Sequence, residues 1–205
     1  MRSPSSLRAP LRVLVKGSDP ATIVAGGAPA GRSPAASADD LTYARVLERG
    51  LLDSGRNAAV RKLAVPGERV ATGVRNWEHQ VFPWSPDVVV LHYGHVEAAG
   101  RGPTLRSPRW TARFTEDLAM LVKRCVYVSN PLVLLPVLPG EGDRVRAVND
   151  ALTAVVERFD LDNVRVLDTD DAPAEAGVFT AEGHAVLGRR LTELVGPWCD
   201  QHVPV

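Results

Sequence analysis

The stretch Pro86-Asp87-Val88-Val89-Val90-Leu91-His92-Tyr93 contains the most clearly defined strand of the chain. Its apolar residues run without interruption instead of alternating with polar ones. That pattern is typical of a strand covered on both faces of a parallel sheet. The sequence therefore predicts a buried strand whose carboxyl end carries polar side chains, beginning with His92.

Other strand-like segments lie on both sides of this one along the chain, and helical patterns separate them. Strands are predicted at about 11–15, 58–65, 132–137 and 164–167, and helices at about 41–52, 70–81, 109–126, 143–159 and 180–195. Strands that alternate with helices form βαβ units with right-handed crossovers. The prediction is therefore an α/β fold of three layers, in which helices cover both faces of a parallel sheet of about five strands.

The composition limits the classes of function. Lys and Arg together number 24, as do Asp and Glu, so the formal net charge of the 205-residue chain is zero. A neutral chain has no electrostatic attraction for nucleic acid or for anionic membranes. Residues 1–10 lack the apolar core of a secretion signal, and no apolar stretch is long enough to span a bilayer. We therefore expect a cytoplasmic protein whose partner is a small-molecule substrate, with its oligomeric state left open.

The pattern predicts one domain, residues 11–198, between a flexible N-terminal tail at 1–10 and a C-terminal tail at 199–205. Residues 18–38 are rich in Gly, Ala, Pro and Ser and show no periodicity. A loop of that length in a compact domain is commonly functional, and whether it acts as a lid is left open. Cys125 and Cys199 have no metal-ligand spacing and are expected to be reduced thiols.

Ligands of doubly wound sheets bind beyond the carboxyl ends of the strands. Four segments follow such ends and should line one cleft: 16–20, 65–69, 92–97 and 168–179. The same segments resemble the sequence blocks of the SGNH (GDSL-type) hydrolases, in the family's order and over nearly the whole chain. The resemblance implies a flavodoxin-like, doubly wound sheet and a hydrolase-type active site.

Five stretches carry the resemblance. Val13-Leu14-Val15-Lys16-Gly17-Ser18-Asp19 resembles the first block, a strand that runs into Gly-Asp-Ser. Leu63-Ala64-Val65-Pro66-Gly67-Glu68-Arg69 resembles the second block, which supplies an oxyanion-hole glycine. Residues 85–94 resemble the strand before the third block, and residues 146–152 resemble a helix common in the family. Residues 179–184 resemble the stretch after the family's Asp-x-x-His pair.

The catalytic positions of the family are altered in this sequence. In an ungapped alignment Asp19 takes the place of the nucleophilic serine, and Ser18 precedes it by one residue. The third-block asparagine and the Asp-x-x-His pair are replaced by Val96, Glu175 and Val178. Among these positions only Gly67 matches directly. The resemblance therefore implies the fold together with a degenerate serine triad.

Acid–base chemistry is the leading interpretation of the polar residues that remain. Asp19 follows the first strand, where partial burial would raise the pKa of a carboxyl group towards the catalytic range. His92 and His95 leave the third strand, and Glu97 is placed to orient one of them. A carboxylate and an imidazole in one cleft would form an acid–base pair with separate roles. The alternatives are a turn or capping role for Asp19 and a structural role for the imidazoles.

The other cleft residues are candidates for substrate binding. The set comprises Lys16, Ser18, Gly67, Arg69, Glu97 and Trp110. Lys16 and Arg69 would bind an anionic group or neutralise Asp19, and Gly67 would line an oxyanion pocket. The alternatives are solvated loop charges and, for Trp110, a packing role. No metal site is predicted, because no metal-ligand spacing occurs, and no phosphate-cradling glycine motif implies a cofactor.

Three functions are compatible with these features. The first is an SGNH-like enzyme that uses Asp19 with His95 or His92 on a small organic substrate. Its reaction would be a cyclisation, dehydration, isomerisation or acyl transfer in a bacterial biosynthetic pathway. The second is an ester hydrolase with Ser18 as its nucleophile. The third is a non-catalytic protein that binds a ligand or a partner.

Overall fold

The computed structural model describes residues 10–18, 42–65, 67–99, 107–129, 131–175 and 178–202. Asp19 and nearly all of the predicted loop at 18–38 lie outside these ranges. The predictions for Asp19 and for a lid therefore concern residues that the structure does not describe.

Five parallel strands form the central sheet. They are β1 (Leu11–Ser18), β2 (Ala58–Val65), β3 (Val88–His92), β4 (Leu132–Pro136) and β5 (Val164–Leu167). Their order is β2-β1-β3-β4-β5, which is the flavodoxin-like order of a doubly wound sheet. The predicted fold class is confirmed. A separate antiparallel pair, β6 (Ala174–Glu175) with β7 (Val178–Phe179), was not predicted.

Helices cover both faces of the sheet. They are α1 (Tyr43–Asp53), α2 (Val70–Gln80), α3 (His95–Ala99), α4 (Pro108–Ser129), α5 (Asp143–Phe159) and α6 (Ala181–His202), with a 3₁₀ turn at Phe82–Trp84. Helices α1 and α6 pack on one face, and α2, α4 and α5 pack on the other. Helix α6 continues past residue 198, where the sequence predicted a tail. No helix in the described ranges is both long and apolar enough to cross a membrane.

The side chains of β3 alternate between the two faces of the sheet. Val89 and Leu91 join the buried cluster beneath α2, α4 and α5, whereas Val88 and Val90 join the cluster beneath α1 and α6. Every residue of β3 is buried. Because both faces are covered, the strand needs apolar residues at every position, which explains its uninterrupted pattern.

Strands β1 and β3 approach each other closely at their carboxyl ends. Gly17 pairs with His92 and has a φ of +151°. A Cβ atom at this position would overlap the backbone carbonyl of His92. Glycine is therefore required here both for its conformation and for the space it leaves.

A buried ion pair connects β1 to the segment that precedes α2. Lys16 lies within β1, and the sequence analysis had placed it on a loop because the strand was expected to end earlier. The Lys16 ammonium is fully buried and donates to Glu68 Oε1 and to Gln80 Oε1, each at 2.9 Å. Glu68 follows Gly67, so the pair holds the end of the second block against β1.

Substitution of Gly17 tests the close approach of β1 and β3. Gly17→Ala should lower the free energy of unfolding by roughly 3 kcal/mol, since the new methyl group overlaps backbone atoms. The matched control is Gly55→Ala, where φ is +80° but nothing lies within 4 Å of the added Cβ. That change should cost only about 1 kcal/mol. Urea unfolding measures both, and equal losses would contradict this packing.

The buried ion pair is tested by removing one charge and then both. Lys16→Met should lower the free energy of unfolding by about 3 kcal/mol or more, because it leaves the Glu68 carboxylate buried without its cation. The double variant Lys16→Met/Glu68→Gln removes both charges and should recover at least half of that loss. Chemical denaturation checks the comparison. A double variant less stable than the single one would mean that the pair is not an isolated unit.

Candidate active site

The candidate site lies at the carboxyl edge of the sheet, where β1 and β3 are neighbours. This is the point at which the strand order reverses, and open α/β sheets form their ligand crevice there. His92 is the last residue of β3. The chain then turns at Gly94, with a φ of +113°, and enters α3 at His95. The turn returns His95 to the side of His92.

His92 and His95 form a direct contact. Their Nε2 atoms are 2.9 Å apart, and their rings meet edge to face with 4.6 Å between centroids. His92 is fully buried and His95 is nearly so. At this distance the two rings are hydrogen-bonded, so one Nε2 atom carries a hydrogen and donates it while the other accepts.

Tyr43 completes a chain of three polar side chains. Its hydroxyl group lies 3.2 Å from His92 Nδ1. Tyr43 begins α1, and its ring stacks on that of His184 from α6, with 5.7 Å between centroids. Sequence reasoning missed Tyr43, which lies in the apolar pattern of α1. A tyrosine on a buried helix face needs a partner for its hydroxyl group, and that requirement was the available signal.

The environment of His92 keeps its ring neutral. Burial lowers the pKa of His92 well below the ordinary value of 6.5, and the nearby imidazoles of His95 and His184 lower it further. A neutral ring has one donor nitrogen and one acceptor nitrogen. His92 therefore accepts a hydrogen bond at one ring nitrogen and donates one at the other.

A cavity of about 420 Å³ lies beside His95. Its walls come from residues that follow three neighbouring strands, and they include His95, Ala98, Leu138, Glu141, Ala174 and Val178. The walls are mainly apolar, with an imidazole and a carboxylate among them. This combination is typical of a site for a small organic molecule. Val178, which the sequence alignment places at the histidine position of the family's last block, lines the same cavity as His95.

Glu97 is engaged elsewhere. Its Oε1 atom accepts a hydrogen bond from the backbone N–H of Val70 at the start of α2, at 3.1 Å. Burial raises the pKa of Glu97, while that N–H group and the charge of Arg69 act in the opposite direction. The sequence analysis placed Glu97 to orient a histidine, but its hydrogen bond to Val70 connects α3 to α2.

The remaining predicted binding residues lie in different surroundings. Lys16 is bonded to Glu68 and Gln80 inside the protein. Trp110 stacks on Phe114 of α4, with 5.7 Å between centroids, and packs against the core. Gly67 has a φ of +72° and open space around its Cα. Ser18 ends β1, level with Val65 of β2.

No metal centre is evident in the described ranges of the chain. There, no group of three or more His, Cys, Asp and Glu side chains is arranged to hold an ion. His92, His95 and Glu97 lie close together in the chain at this edge of the sheet, and their contacts are with other protein groups. The first two contact each other, and Glu97 bonds to the backbone of Val70.

By sequence, the chain matches no family model and no curated protein. By structure, it is similar to several solved enzymes. An alpha/beta hydrolase from the metagenome of Lake Arreo has a TM-score of 0.69 and 16% identity, with 93% of this chain and 97% of that one covered.

Two further solved structures are similar to this chain. A lipase/acylhydrolase from Enterococcus faecalis has a TM-score of 0.66 and 19% identity, over 92% of this chain and 96% of the other. A putative lipolytic protein of the G-D-S-L family from Desulfitobacterium hafniense has a TM-score of 0.63 and 15% identity, over 89% and 98%. With the strand order and the ordered blocks, these similarities show that the chain has the SGNH (GDSL-type) hydrolase fold.

Proposed function

We propose that the chain is an SGNH-hydrolase-like enzyme that binds a small organic substrate in the cavity beside His95 and uses His95 as its acid–base group. The observation that carries this proposal is the contact between His95, at the cavity wall, and the buried neutral ring of His92. The same edge of the sheet is where doubly wound folds bind their ligands.

The contact gives the two imidazoles different roles. If Nδ1–H of His92 donates to the Tyr43 hydroxyl oxygen, Nε2 of His92 accepts a hydrogen bond from Nε2–H of His95. The lone pair of His95 then lies on Nδ1, which is the nitrogen that takes a proton from the substrate. The imidazolium formed on His95 still donates to His92. His92 thus orients the base and supports its charged form, as the third member of a catalytic triad does.

The position of His95 also accounts for the altered last block. Val178 stands where the family has its catalytic histidine, and both residues line one cavity. An imidazole is therefore retained in the cavity, but it is carried by α3 instead of the loop after β5. This supports an enzyme with a rearranged set of catalytic groups over a protein without catalytic groups.

The second acid–base group in this proposal is Asp19. It follows β1 directly, and Gly17, two residues earlier, pairs with His92. A cyclisation, dehydration or isomerisation removes a proton from one atom and delivers one to another, so two groups of different pKa suit such reactions. The role of Asp19 rests on its place in the chain.

Ester hydrolysis with Ser18 as the nucleophile is the second candidate. Similar solved structures favour it, because they include a lipase/acylhydrolase and an acetyl xylan esterase. Ser18 is also the last residue of β1, next to the strand that ends at His92. In this case His95 would take the proton of the serine hydroxyl group.

A fluorophosphonate probe separates the two candidates. Intact-mass spectrometry of the treated wild type should show no adduct if the enzyme has no nucleophilic serine. One adduct that disappears in Ser18→Ala would establish the esterase and contradict acid–base chemistry without a serine nucleophile.

Substitution of His95 tests its catalytic role under either candidate. His95→Gln should lower kcat/KM at least about 100-fold, on the true substrate or on small aryl acetates if these are hydrolysed, because the base is lost. The matched control is His79→Gln, since His79 is an exposed histidine of α2. It should leave kcat/KM unchanged. Equal activity of the two variants would exclude His95 as the base.

The neutral state of His92 predicts how stability depends on pH. The pKa of His92 is lowered in the folded protein, so below about pH 6.5 the unfolded chain binds a proton that the native chain does not. The contribution of His92 to the free energy of unfolding is thus largest above pH 6.5. Below pH 6.5 this contribution decreases by up to about 1.4 kcal/mol for each pH unit.

Urea unfolding at several pH values measures this dependence. His92→Gln removes the titrating ring, so its stability should fall less steeply than that of the wild type as the pH falls through 6.5. An unchanged slope would mean that His92 titrates normally in the native state.

A further inference from the structure

Helices α2 and α4 border an apolar groove on the outer surface of their layer. Its volume is about 460 Å³, and it is lined by Trp77, Phe82, Met120, Lys123, Arg124 and Tyr127, with Glu78 at its edge. Exposure of large apolar side chains is concentrated here: Phe82 is 56% exposed, Met120 is 43% and Tyr127 is 88%. A contiguous apolar surface of this kind marks a contact site, and Trp, Tyr, Met and Arg are enriched in such sites.

The charges at the groove have opposite signs on its two sides. Glu78 lies on α2, and Lys123 lies on α4, and both are exposed. Within the described part of the chain, neither belongs to an ion pair. Arg124 differs, since its guanidinium group donates to the Val74 carbonyl oxygen at 2.6 Å and thereby connects the two helices.

This arrangement is complementary to itself. A two-fold axis along the groove would place α2 of one copy opposite α4 of the other, so that Glu78 of each copy faces Lys123 of the other. The apolar side chains between the charged sides would then be buried from both copies. Interfaces with two-fold symmetry require such self-complementarity, because one patch serves both subunits.

We propose that this groove is the contact surface between two copies of the chain. An interface of the usual size would bury about 800 Å² of each subunit, with this groove at its centre. Tyr127 and Phe82 form the apolar centre of the contact, and the pairs between Glu78 and Lys123 determine the orientation of the copies. The candidate active site, built from other residues, takes no part in it.

Analytical ultracentrifugation of the full chain tests the proposal. The wild type should reach twice its mass of 22.0 kDa at high concentration and dissociate on dilution. Tyr127→Glu should raise the dissociation constant about 30-fold or more, because it buries a charge at the centre of the contact. The matched control is Leu52→Glu on α1, where the leucine is 51% exposed outside the groove. It should leave the dissociation constant unchanged.

A charge exchange tests the orientation of the two copies. Glu78→Lys or Lys123→Glu alone should weaken association about tenfold, and the double variant should restore it. Circular dichroism verifies that each variant is folded. A wild type that stays at 22.0 kDa at every concentration, or a dimer that Tyr127→Glu does not weaken, would overturn the proposal.

Removal of residues 1–9 distinguishes a second copy from the chain's own N-terminal segment as the occupant of the groove. The shortened chain should associate as the wild type does. A dimer that forms only after the removal would show that the segment occupies the groove, and would overturn the proposal.

Discussion

Strand β3 is buried along its whole length, so the imidazole of its last residue, His92, must find its hydrogen-bond partners within the protein. A buried polar group without a hydrogen bond costs free energy, and His92 is fully buried. His92 meets this requirement with two side chains from different parts of the chain, Tyr43 and His95. The turn at Gly94 and the short helix α3 bring His95 to His92, and α1 brings Tyr43 there.

The proposed mechanism gives His95 the role of base in a chain whose sequence alignment places Val178 at the family's histidine position. A base needs a neighbour that fixes its orientation and its tautomer. In the family pattern that neighbour is the Asp of Asp-x-x-His, and here the corresponding residue is Glu175. In the proposed mechanism the ring of His92 would fill the orienting role, because burial lowers its pKa and favours the neutral form. The proposal thus places the acid–base group at the turn after β3 instead of in the loop after β5.

The sequence was sufficient to predict the elements that depend on local pattern. The bounds of β2, β5 and α5 were predicted as observed, and the ordered blocks identified the fold. Elements that depend on tertiary contacts were missed. Helix α3 has five residues, too few for a periodic pattern, and β1 extends to Ser18 because β2 pairs with it over its full length.

The site was predicted only in part, for similar physical reasons. The sequence predicted that His92 and His95 lie at one edge of the sheet. It did not predict that they contact each other, because the contact requires the turn at Gly94. Lys16 was expected in the cleft because β1 was predicted to end at Val15, yet Lys16 lies within the strand and pairs with Glu68 and Gln80 inside the protein. Tyr43 was missed because tyrosine also fits the apolar face of a helix, although its hydroxyl group needs a hydrogen-bond partner when it is buried.

Nitrogen-15 NMR of histidine-labelled protein tests the central claim directly, because it reports the protonation state and the tautomer of each ring without a substrate. The account predicts that His92 stays neutral through the pH range in which free histidine titrates and that the neutral ring of His95 carries its hydrogen on Nε2. Titration of His92 near pH 6.5, or a His95 ring with its hydrogen on Nδ1, would contradict the account.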